Sequence, residues 1–329
     1  SVKPNYAKSY KYLGNLLNDL GQFDEATAAY NQAIKIKPDY HTVYSNLLFN
    51  LNYKTDFDPK LYLSIAKKFR LNCKIIKKNL NFKYKYEKKP KKIKIGLVSA
   101  DFGDHPGGYF TLSTFKKLKN KNIDLIAYST FDRSDKISEQ FKDLFLKWNS
   151  IEKKEDFKIV EEISNDGIHI LIDLQGHSGK NRLPLFMHKP APIQVSWLSQ
   201  GSTGIPEIDY FIGSPHTTPK KEEKNYVEKI IRLPDISQSF TAPDYAIDVN
   251  NLPALKNNFI TFGCINKLAK INDNVINLWS KILLSISNSK LILKNKHFDN
   301  KNVVKSFFQK FKKHNVNKNQ LDFRGSEKT

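Results

Sequence analysis

The chain has 329 residues, of which 40% are hydrophobic, and it carries a formal net charge of +21. A chain of this length can bury two sizeable cores and a third, smaller unit. No apolar run approaches the ~18 residues that a membrane span needs, so we expect a globular protein with no membrane partner.

The positive charge does not by itself indicate a nucleic-acid partner. Five residues are arginine and 49 are lysine, whereas arginine is the preferred residue for bidentate contacts to phosphates and bases. We therefore expect no nucleic-acid binding. The two cysteines, Cys73 and Cys264, lie far apart with no Cys or His at ligand spacing. They indicate neither a disulfide framework nor a zinc site, and they agree with a reducing, cytoplasmic location.

The amino-terminal segment contains a repeat, because Pro4 and Pro38 are 34 residues apart and enclose the pattern Tyr10, Leu13, Gly14, Leu17, Ala26, Tyr30 and Ala33. This spacing is typical of a tetratricopeptide repeat, in which small residues let two antiparallel helices approach closely. A further repeat begins at His41, although its second helix lacks the Ala and Pro marks. A generic helical hairpin is the alternative interpretation. Such repeats need neighbours, so we expect further repeats upstream and treat the chain as a fragment.

A basic segment follows the helical residues 1–73. Lys74 to Lys94 contains ten lysines against the single acidic residue Glu87, and it also contains Pro90. We interpret residues 74–92 as a solvated linker with one helical end, and an anion-binding patch is the alternative.

From residue 93 onward, short apolar runs alternate with helical segments, which is typical of a parallel α/β sheet. The first lobe is predicted to span residues 93–248, with strands around 93–98 and at 123–128, 168–174, 193–198 and 210–212, and with helices at 136–148 and 157–164. The second lobe is predicted to span residues 249–329, with strands at 259–262, 290–293 and 321–323 and helices at 273–285 and 302–314. We expect this second lobe to be incomplete. Paired lobes of this kind bind ligands in the cleft between them.

Polar residues follow the first of these strands. Asp101, Asp104 and His105 come directly after the apolar run that ends at Val98, and open α/β sheets bind ligands at the carboxyl ends of their strands. Polar loops at 176–182 and 266–270 follow two other strands. The sequence therefore predicts a ligand site at these strand ends. For the first loop taken alone, a solvated turn is the alternative.

The order of these motifs resembles that of the O-linked N-acetylglucosamine (O-GlcNAc) transferases and their bacterial relatives. The matching segments are the repeats followed by DFGDHP, DGIHILIDLQGH, KPAPIQVSWL, DYFIG and FGCINKLAKI, which together cover nearly the whole chain. The resemblance implies an α/β fold with an amino-terminal helical repeat region and two Rossmann-like lobes of the GT-B type, the second truncated. It also implies a nucleotide-sugar donor, UDP-GlcNAc or, in the SPINDLY branch, GDP-fucose, and protein Ser or Thr hydroxyls as acceptors.

Three residues receive catalytic roles from this resemblance. Lys270 matches the family lysine that contacts the donor diphosphate, and Asp101 and His105 match residues that line the active site. An ammonium group beside a helix amino terminus can stabilise the charge that builds up on a leaving diphosphate without a metal. A histidine or a neighbouring carboxylate can accept the proton of the attacking hydroxyl. Which residue does so stays open, and so does a structural capping role for Asp101.

Substrate contacts are implied for seven further residues: Asp104, Pro106, Leu198, Ser199, Gln200, Asn266 and Lys267. The family usually has Asn at the position of Asp104. We interpret His177 as a hydrogen-bonded structural histidine. The triplet from His216 to Thr218 resembles a nucleotide-binding segment that the family has in its second lobe. In this chain the triplet falls in the first lobe, so we expect the true segment beyond Thr329.

The sequence therefore predicts an inverting protein O-GlcNAc transferase that needs no metal or other cofactor and whose repeats hold protein acceptors. An O-fucosyltransferase that uses GDP-fucose is one alternative. The other is an interaction scaffold in which the repeats bind partners and the transferase region is weak or inactive.

Overall fold

A computed structural model describes residues 6–73, 84–119, 121–243 and 247–326. The chain divides into two compact units. The first comprises Ser1–Leu17 and Phe23–Asp244, and the second comprises Asn18–Gln22 and Tyr245–Thr329. None of the helices in the described ranges is long and apolar enough to cross a membrane.

The amino-terminal residues form the helices α1 (Ala7–Asp19), α2 (Phe23–Ile36), α3 (His41–Leu51) and α4 (Pro59–Asn72). Ala26 and Ala33 are fully buried, and a Cβ atom added to Gly14 would lie 2.5 Å from the ring of Tyr30. The predicted use of small residues for close helix approach is therefore confirmed. Asp58 caps α4 by accepting a hydrogen bond from the backbone N–H of Lys60, which satisfies a donor that the helix itself leaves unpaired.

A seven-stranded parallel sheet forms the rest of the first unit within the described residues. Its strands are β1 (Ile93–Ser99), β2 (Ile123–Ser129), β3 (Lys147–Ser150), β4 (Ile170–Asp173), β5 (Ile193–Trp197), β6 (Tyr210–Gly213) and β7 (Lys229–Arg232). They are arranged in the order β3-β2-β1-β4-β5-β6-β7. The crossover helices are α5 (Pro106–Leu118), α6 (Lys136–Lys142) and α7 (Asp156–Asn165). The strand order reverses between β1 and β4, which is where doubly wound sheets open a ligand crevice.

Successive residues of β1 enter different cores because side chains alternate across a strand. Leu97 packs with Phe102, Phe115 and Trp197 on one face. Val98 belongs to the core on the other face, which also contains Phe69 from α4. Phe69 is fully buried. The repeat helices therefore share a hydrophobic core with the sheet.

The predicted helix at 136–148 is wrong in its second half. α6 ends at Lys142, and Trp148 lies in β3, which pairs in parallel with β2. The side-chain amide of Asn149 donates to the carbonyl of Ala127 at 3.1 Å, and Trp148 packs against Phe102. Pairing with β2 and aromatic packing thus override the local helical pattern. β7 and the 3₁₀ helices were not predicted from the sequence.

The second half of the basic segment packs within the first unit. Residues 74–83 of the predicted linker lie outside the described residues, and residues 84–92 contain neither helix nor strand. The Tyr84 hydroxyl donates to the carbonyl of Lys189 at 3.2 Å. His169 accepts from the backbone N–H of Lys94 through Nδ1, so its Nε2–H donates to the carbonyl of Glu87 at 3.0 Å. These bonds hold the segment against the start of β1.

The second unit contains a parallel sheet in the order β10-β9-β8. Its elements are α8 (Pro253–Asn257), β8 (Ile260–Cys264), α9 (Asp273–Ser285), β9 (Ser289–Lys294), α10 (Lys301–Lys312) and β10 (Leu321–Arg324). Leu291, Leu293 and Phe311 are buried in a core of their own. The predicted alternation of strands and helices is confirmed here, with bounds that shift by at most two residues.

Candidate active site

The strongest candidate site lies at the carboxyl ends of β1 and β4. The loop after β1 carries Asp101 and His105, and the loop after β4 carries Gln175 and His177. Because β1 and β4 are neighbours at the point where the strand order reverses, their loops face one crevice. The sequence predicted polar loops after both of these strands, the second at 176–182, as parts of a ligand site.

Asp101 and His105 form a close pair. Their nearest atoms, Oδ1 of Asp101 and Nδ1 of His105, are 3.2 Å apart. The same Nδ1 atom lies 3.2 Å from the backbone nitrogen of Gly107, where His105 caps α5. These two contacts are alternatives, because a protonated Nδ1 donates to Asp101 and an unprotonated Nδ1 accepts from Gly107. In the first arrangement, Nε2 keeps its lone pair and can accept a proton.

Cations surround the Asp101 carboxylate. The Nε atom of Arg133 donates to the carbonyl of Ala100 at 3.0 Å, and its Nη2 atom lies 3.8 Å from Oδ1 of Asp101. Burial raises the pKa of Asp101, and the charges of His105, Arg133 and Lys180 oppose that rise. The pKa of Asp101 is thus raised overall, because burial outweighs the three charges, and above that raised pKa the carboxylate can accept a hydrogen bond from the imidazole of His105.

The sequence HPGG explains how the loop after β1 turns so tightly into α5. Pro106 occupies the first position of α5, where its missing N–H costs nothing. A Cβ atom at Gly108 would lie 2.2 Å from the carbonyl oxygen of Gly103, so a side chain there would displace the loop. Asp104 is exposed, and its Oδ1 accepts from the Tyr109 hydroxyl at 3.1 Å. Asp104 and Pro106 therefore lie beside the Asp101–His105 pair, and their contact with substrate stays a prediction.

Gln175 and Arg133 are two residues of this site that the sequence analysis missed. The Oε1 atom of Gln175 accepts from the backbone N–H of Ala100 at 3.0 Å, and its Nε2 donates to the carbonyl of Gly179 at 3.0 Å. Gln175 thereby joins the loops after β1 and β4. Its position directly after the predicted strand at 168–174 was the available signal. For Arg133, the signal was its rarity, since the chain has five arginines.

The loop 198–204 follows β5 and contains three predicted contact residues, Leu198, Ser199 and Gln200. Leu198 has a φ of 67°, a backbone conformation that non-glycine residues seldom adopt. The Ser199 hydroxyl donates to the carbonyl of Gly201 at 2.8 Å, and Gln200 is exposed. Because β5 is the neighbour of β4, this loop lies at the same edge of the sheet as His177.

A buried carboxylate holds the far side of this loop. Glu228 accepts from the Ser202 hydroxyl at 2.7 Å and from the backbone N–H of Thr203 at 2.7 Å. It also accepts from the Thr203 hydroxyl. Burial raises the pKa of Glu228, and these hydrogen bonds oppose the rise. The loop conformation is thus fixed by side-chain contacts that no local sequence pattern reveals.

His177 has a structural environment, as the sequence analysis predicted. It is 5% exposed and packs edge-on against Phe69, with ring centroids 4.9 Å apart. Nδ1 lies 3.1 Å from the Ser45 hydroxyl, and Nε2 lies 3.0 Å from the carbonyl of Thr203. A carbonyl can only accept, so Nε2 carries the proton and Nδ1 accepts from Ser45. Burial lowers the pKa of His177 to about 4.

This lowered pKa predicts a pH-dependent free energy of unfolding. The neutral ring is favoured in the fold, so its stabilisation is intact above pH 6.5, the ordinary value, and is lost as the pH falls from 6.5 towards 4. We expect His177→Gln to remove up to about 1.4 kcal/mol per pH unit from the slope in that window. Urea unfolding of both proteins at several pH values measures this difference. Equal slopes would contradict a buried neutral His177.

The predicted residues of the second unit form a separate group after β8. Lys270 ends a 3₁₀ turn (Leu268–Lys270) and is exposed, and Asn272 caps the 13-residue helix α9 by accepting from the N–H of Val275 at 3.0 Å. Asn266 and Lys267 are exposed in the preceding loop. The structure thus brings Lys270 close to a helix amino terminus, which carries partial positive charge.

The triplet from His216 to Thr218 lies in the first unit, directly after β6. The Thr218 hydroxyl donates to the carbonyl of Ser214 at 3.1 Å, and the Thr217 hydroxyl accepts from the backbone N–H of Ser214 at 3.0 Å. These bonds close a local turn. The prediction that the triplet lies in the first lobe is confirmed.

Comparison with known families identifies two matches. Residues 63–252 match Glycosyl transferase family 41, and residues 14–47 match the TPR repeat. The family match therefore contains the Asp101–His105 pair and the loop 198–204, whereas Lys270 lies outside it.

Curated relatives from plants are similar over most of the chain. A rice protein, the probable UDP-N-acetylglucosamine–peptide N-acetylglucosaminyltransferase SPINDLY, is 33% identical over 82% of this chain and 30% of its own length. The Arabidopsis thaliana protein named SEC, also a probable transferase of that kind, is 29% identical over 72% of this chain and 26% of its own length. The chain thus spans about 30% of the length of these relatives.

Among solved structures, a mutant of the Thermobaculum terrenum O-GlcNAc transferase superposes with a TM-score of 0.89 at 26% sequence identity. The match covers 99% of this chain and 62% of that protein. It confirms the predicted fold class, in which amino-terminal helical repeats precede parallel α/β sheets of the GT-B type.

Proposed function

The chain belongs to Glycosyl transferase family 41, and on that premise we propose that its protein transfers N-acetylglucosamine from UDP-GlcNAc to Ser or Thr hydroxyls of other proteins. The observation that carries the proposal is the Asp101–His105 pair at the switch point of the first sheet, inside the family match. The names of the relatives support the donor and the acceptor class.

In this proposal, His105 accepts the proton of the attacking hydroxyl. Asp101, 3.2 Å from Nδ1, holds the proton on that nitrogen and directs the lone pair of Nε2 outward. Direct attack on the anomeric carbon by the hydroxyl then inverts its configuration. General-base assistance of this kind contributes about 10²- to 10⁴-fold to a rate.

Lys270 stabilises the leaving nucleoside diphosphate in the same proposal. Departure of the diphosphate leaves negative charge on its oxygens, and an ammonium group next to the amino terminus of α9 can offset that charge without a metal ion. The exposed side chains of Asn266 and Lys267 supply further donors for the same phosphates. The repeats hold the acceptor protein.

The proposal is tested with the full-length protein, radiolabelled UDP-GlcNAc and candidate acceptor proteins. We expect radiolabel to appear in the acceptor protein. We also expect UDP-GlcNAc to raise the melting temperature more than GDP-fucose at the same concentration, because the ligand that binds more tightly stabilises the fold more. A ligand at 100 times its Kd stabilises the fold by about 2.7 kcal/mol. If only GDP-fucose stabilises the protein and only its sugar is transferred, the donor is GDP-fucose and not UDP-GlcNAc. Absence of binding and transfer with both donors would favour a repeat scaffold without transferase activity.

A further inference from the structure

The helices α3 and α4 pack beside the loop 198–204. Gly204 lies so close to α4 that a Cβ atom added to it would be 2.3 Å from the backbone carbon of Ala66. Gly201 likewise approaches Tyr62, whose ring would be 2.8 Å from an added Cβ. Next to the loop, the Nε atom of Arg70 lies 2.9 Å from Oε2 of Glu207. Helices of the repeat region therefore shape the loop directly.

One polar connection runs from α3 into the same loop. The Ser45 hydroxyl bonds to Nδ1 of His177 at 3.1 Å, and Nε2 of His177 bonds to the carbonyl of Thr203 at 3.0 Å. Ser45 is 3% exposed and His177 is 5% exposed. Both ring nitrogens are occupied, so His177 has no atom left to exchange a proton with a substrate. A histidine in this state acts on its neighbours by holding them in place.

We propose that Ser45 and His177 are positioning residues, which hold the loop 198–204 in the conformation that binds the sugar nucleotide. This inference rests on the proposed function, since it takes Ser199 and Gln200 of that loop as donor contacts. It assigns to the repeat region a part in donor binding, in addition to holding acceptor proteins.

The Ser45 hydroxyl fixes the second nitrogen of the His177 ring. Because the hydroxyl donates to Nδ1, the ring proton resides on Nε2 and is available to the carbonyl of Thr203. Without that hydroxyl, Nδ1 loses its partner on α3, and the bond from Nε2 to the Thr203 carbonyl is the ring's remaining polar contact of the two. The ring is then held less firmly, which weakens its hold on the loop, while Glu228 would still hold Ser202 and Thr203 from the other side.

The test is Ser45→Ala in the full-length protein, assayed with UDP-GlcNAc and a short acceptor peptide. We expect the Kd and KM for UDP-GlcNAc to rise about five- to tenfold, the loss of one buried hydrogen bond, with a much smaller change in the KM for the peptide. His177→Phe keeps a ring against Phe69 but removes both hydrogen bonds, to Ser45 and to Thr203, so we expect a similar shift. The double variant should be no worse than either single one, because both remove the same connection.

Ser64→Ala is the matched control, because Ser64 is an exposed serine of α4 whose hydroxyl bonds to the carbonyl of Leu61. It should leave donor binding unchanged. A lower melting temperature of Ser45→Ala with unchanged donor Kd and KM would overturn the positioning role and leave the proposed function intact. A wild-type protein that neither binds nor transfers from UDP-GlcNAc would overturn both.

Discussion

Replacing Lys270 with alanine in the full-length protein should lower kcat for transfer from UDP-GlcNAc by about 10²- to 10³-fold, the loss expected when a group that stabilises transition-state charge is removed. Lys270 is exposed at the end of a 3₁₀ turn, two residues before the cap of α9. Its removal should leave the fold intact, because the cap is provided by Asn272. Steady-state kinetics with label transfer measure the effect, and thermal unfolding checks the fold.

Lys281→Ala is the control for this prediction. Lys281 is also exposed and lies towards the opposite end of α9, so its removal changes the net charge equally without touching the helix amino terminus. We expect wild-type kcat for this variant. If Lys270→Ala transfers at the wild-type rate, Lys270 does not stabilise the leaving diphosphate. The metal-independent mechanism proposed above would then be wrong about the cation that offsets the diphosphate charge.

The sequence predicts strands, and with them the places where loops lie. β1 and β8 were predicted from apolar runs that end in polar loops, and so the neighbourhoods of Asp101 and Lys270 were predicted as well. A strand end is a local signal, because side-chain alternation and the following Gly or Pro are both readable in a window of a few residues. The helix α9 was predicted with its observed bounds for the same reason, since Asn272 and an apolar period mark its start.

Contacts between distant segments account for what the sequence did not predict. Trp148 lies in a strand because β2 provides a pairing partner. The residues next to Trp148 in the sequence do not indicate that β2 will pair with them. The bond of Gln175 to Ala100 joins residues 75 positions apart. The loop 198–204 depends on Glu228, on His177 and on the close approach of Gly204 to α4. These are properties of the folded chain, and a single sequence without relatives does not display them.

Asp101→Asn should lower kcat by about 10²-fold, an effect that follows from the two partners of Nδ1 in His105. In the wild-type protein the carboxylate, 3.2 Å away, accepts the Nδ1 proton. A neutral amide is a weaker acceptor, so the backbone N–H of Gly107, also 3.2 Å from Nδ1, becomes the favoured partner. The ring proton then moves to Nε2, which can no longer accept a proton from the acceptor hydroxyl.

The same pair predicts a difference in the pH dependence of the rate. Burial raises the pKa of Asp101, so kcat/KM of the wild-type protein should fall as the pH decreases through that raised value and the carboxyl becomes neutral. The Asp101→Asn protein has no such group and should lack this part of the profile. His105→Ala should be as slow as Asp101→Asn or slower, and the double variant should be no slower than His105→Ala, because the two residues act as one unit.

Asp124→Asn separates this effect from a general loss of negative charge. Asp124 lies in the first residues of β2, at the edge of the sheet opposite the loop that carries Asp101, and it pairs with Lys92 at 3.3 Å. We expect its replacement to leave kcat and the pH profile unchanged. If Asp101→Asn also retains wild-type kcat and the wild-type profile, Asp101 serves only to shape the loop after β1, and a group other than the Asp101–His105 pair must activate the hydroxyl.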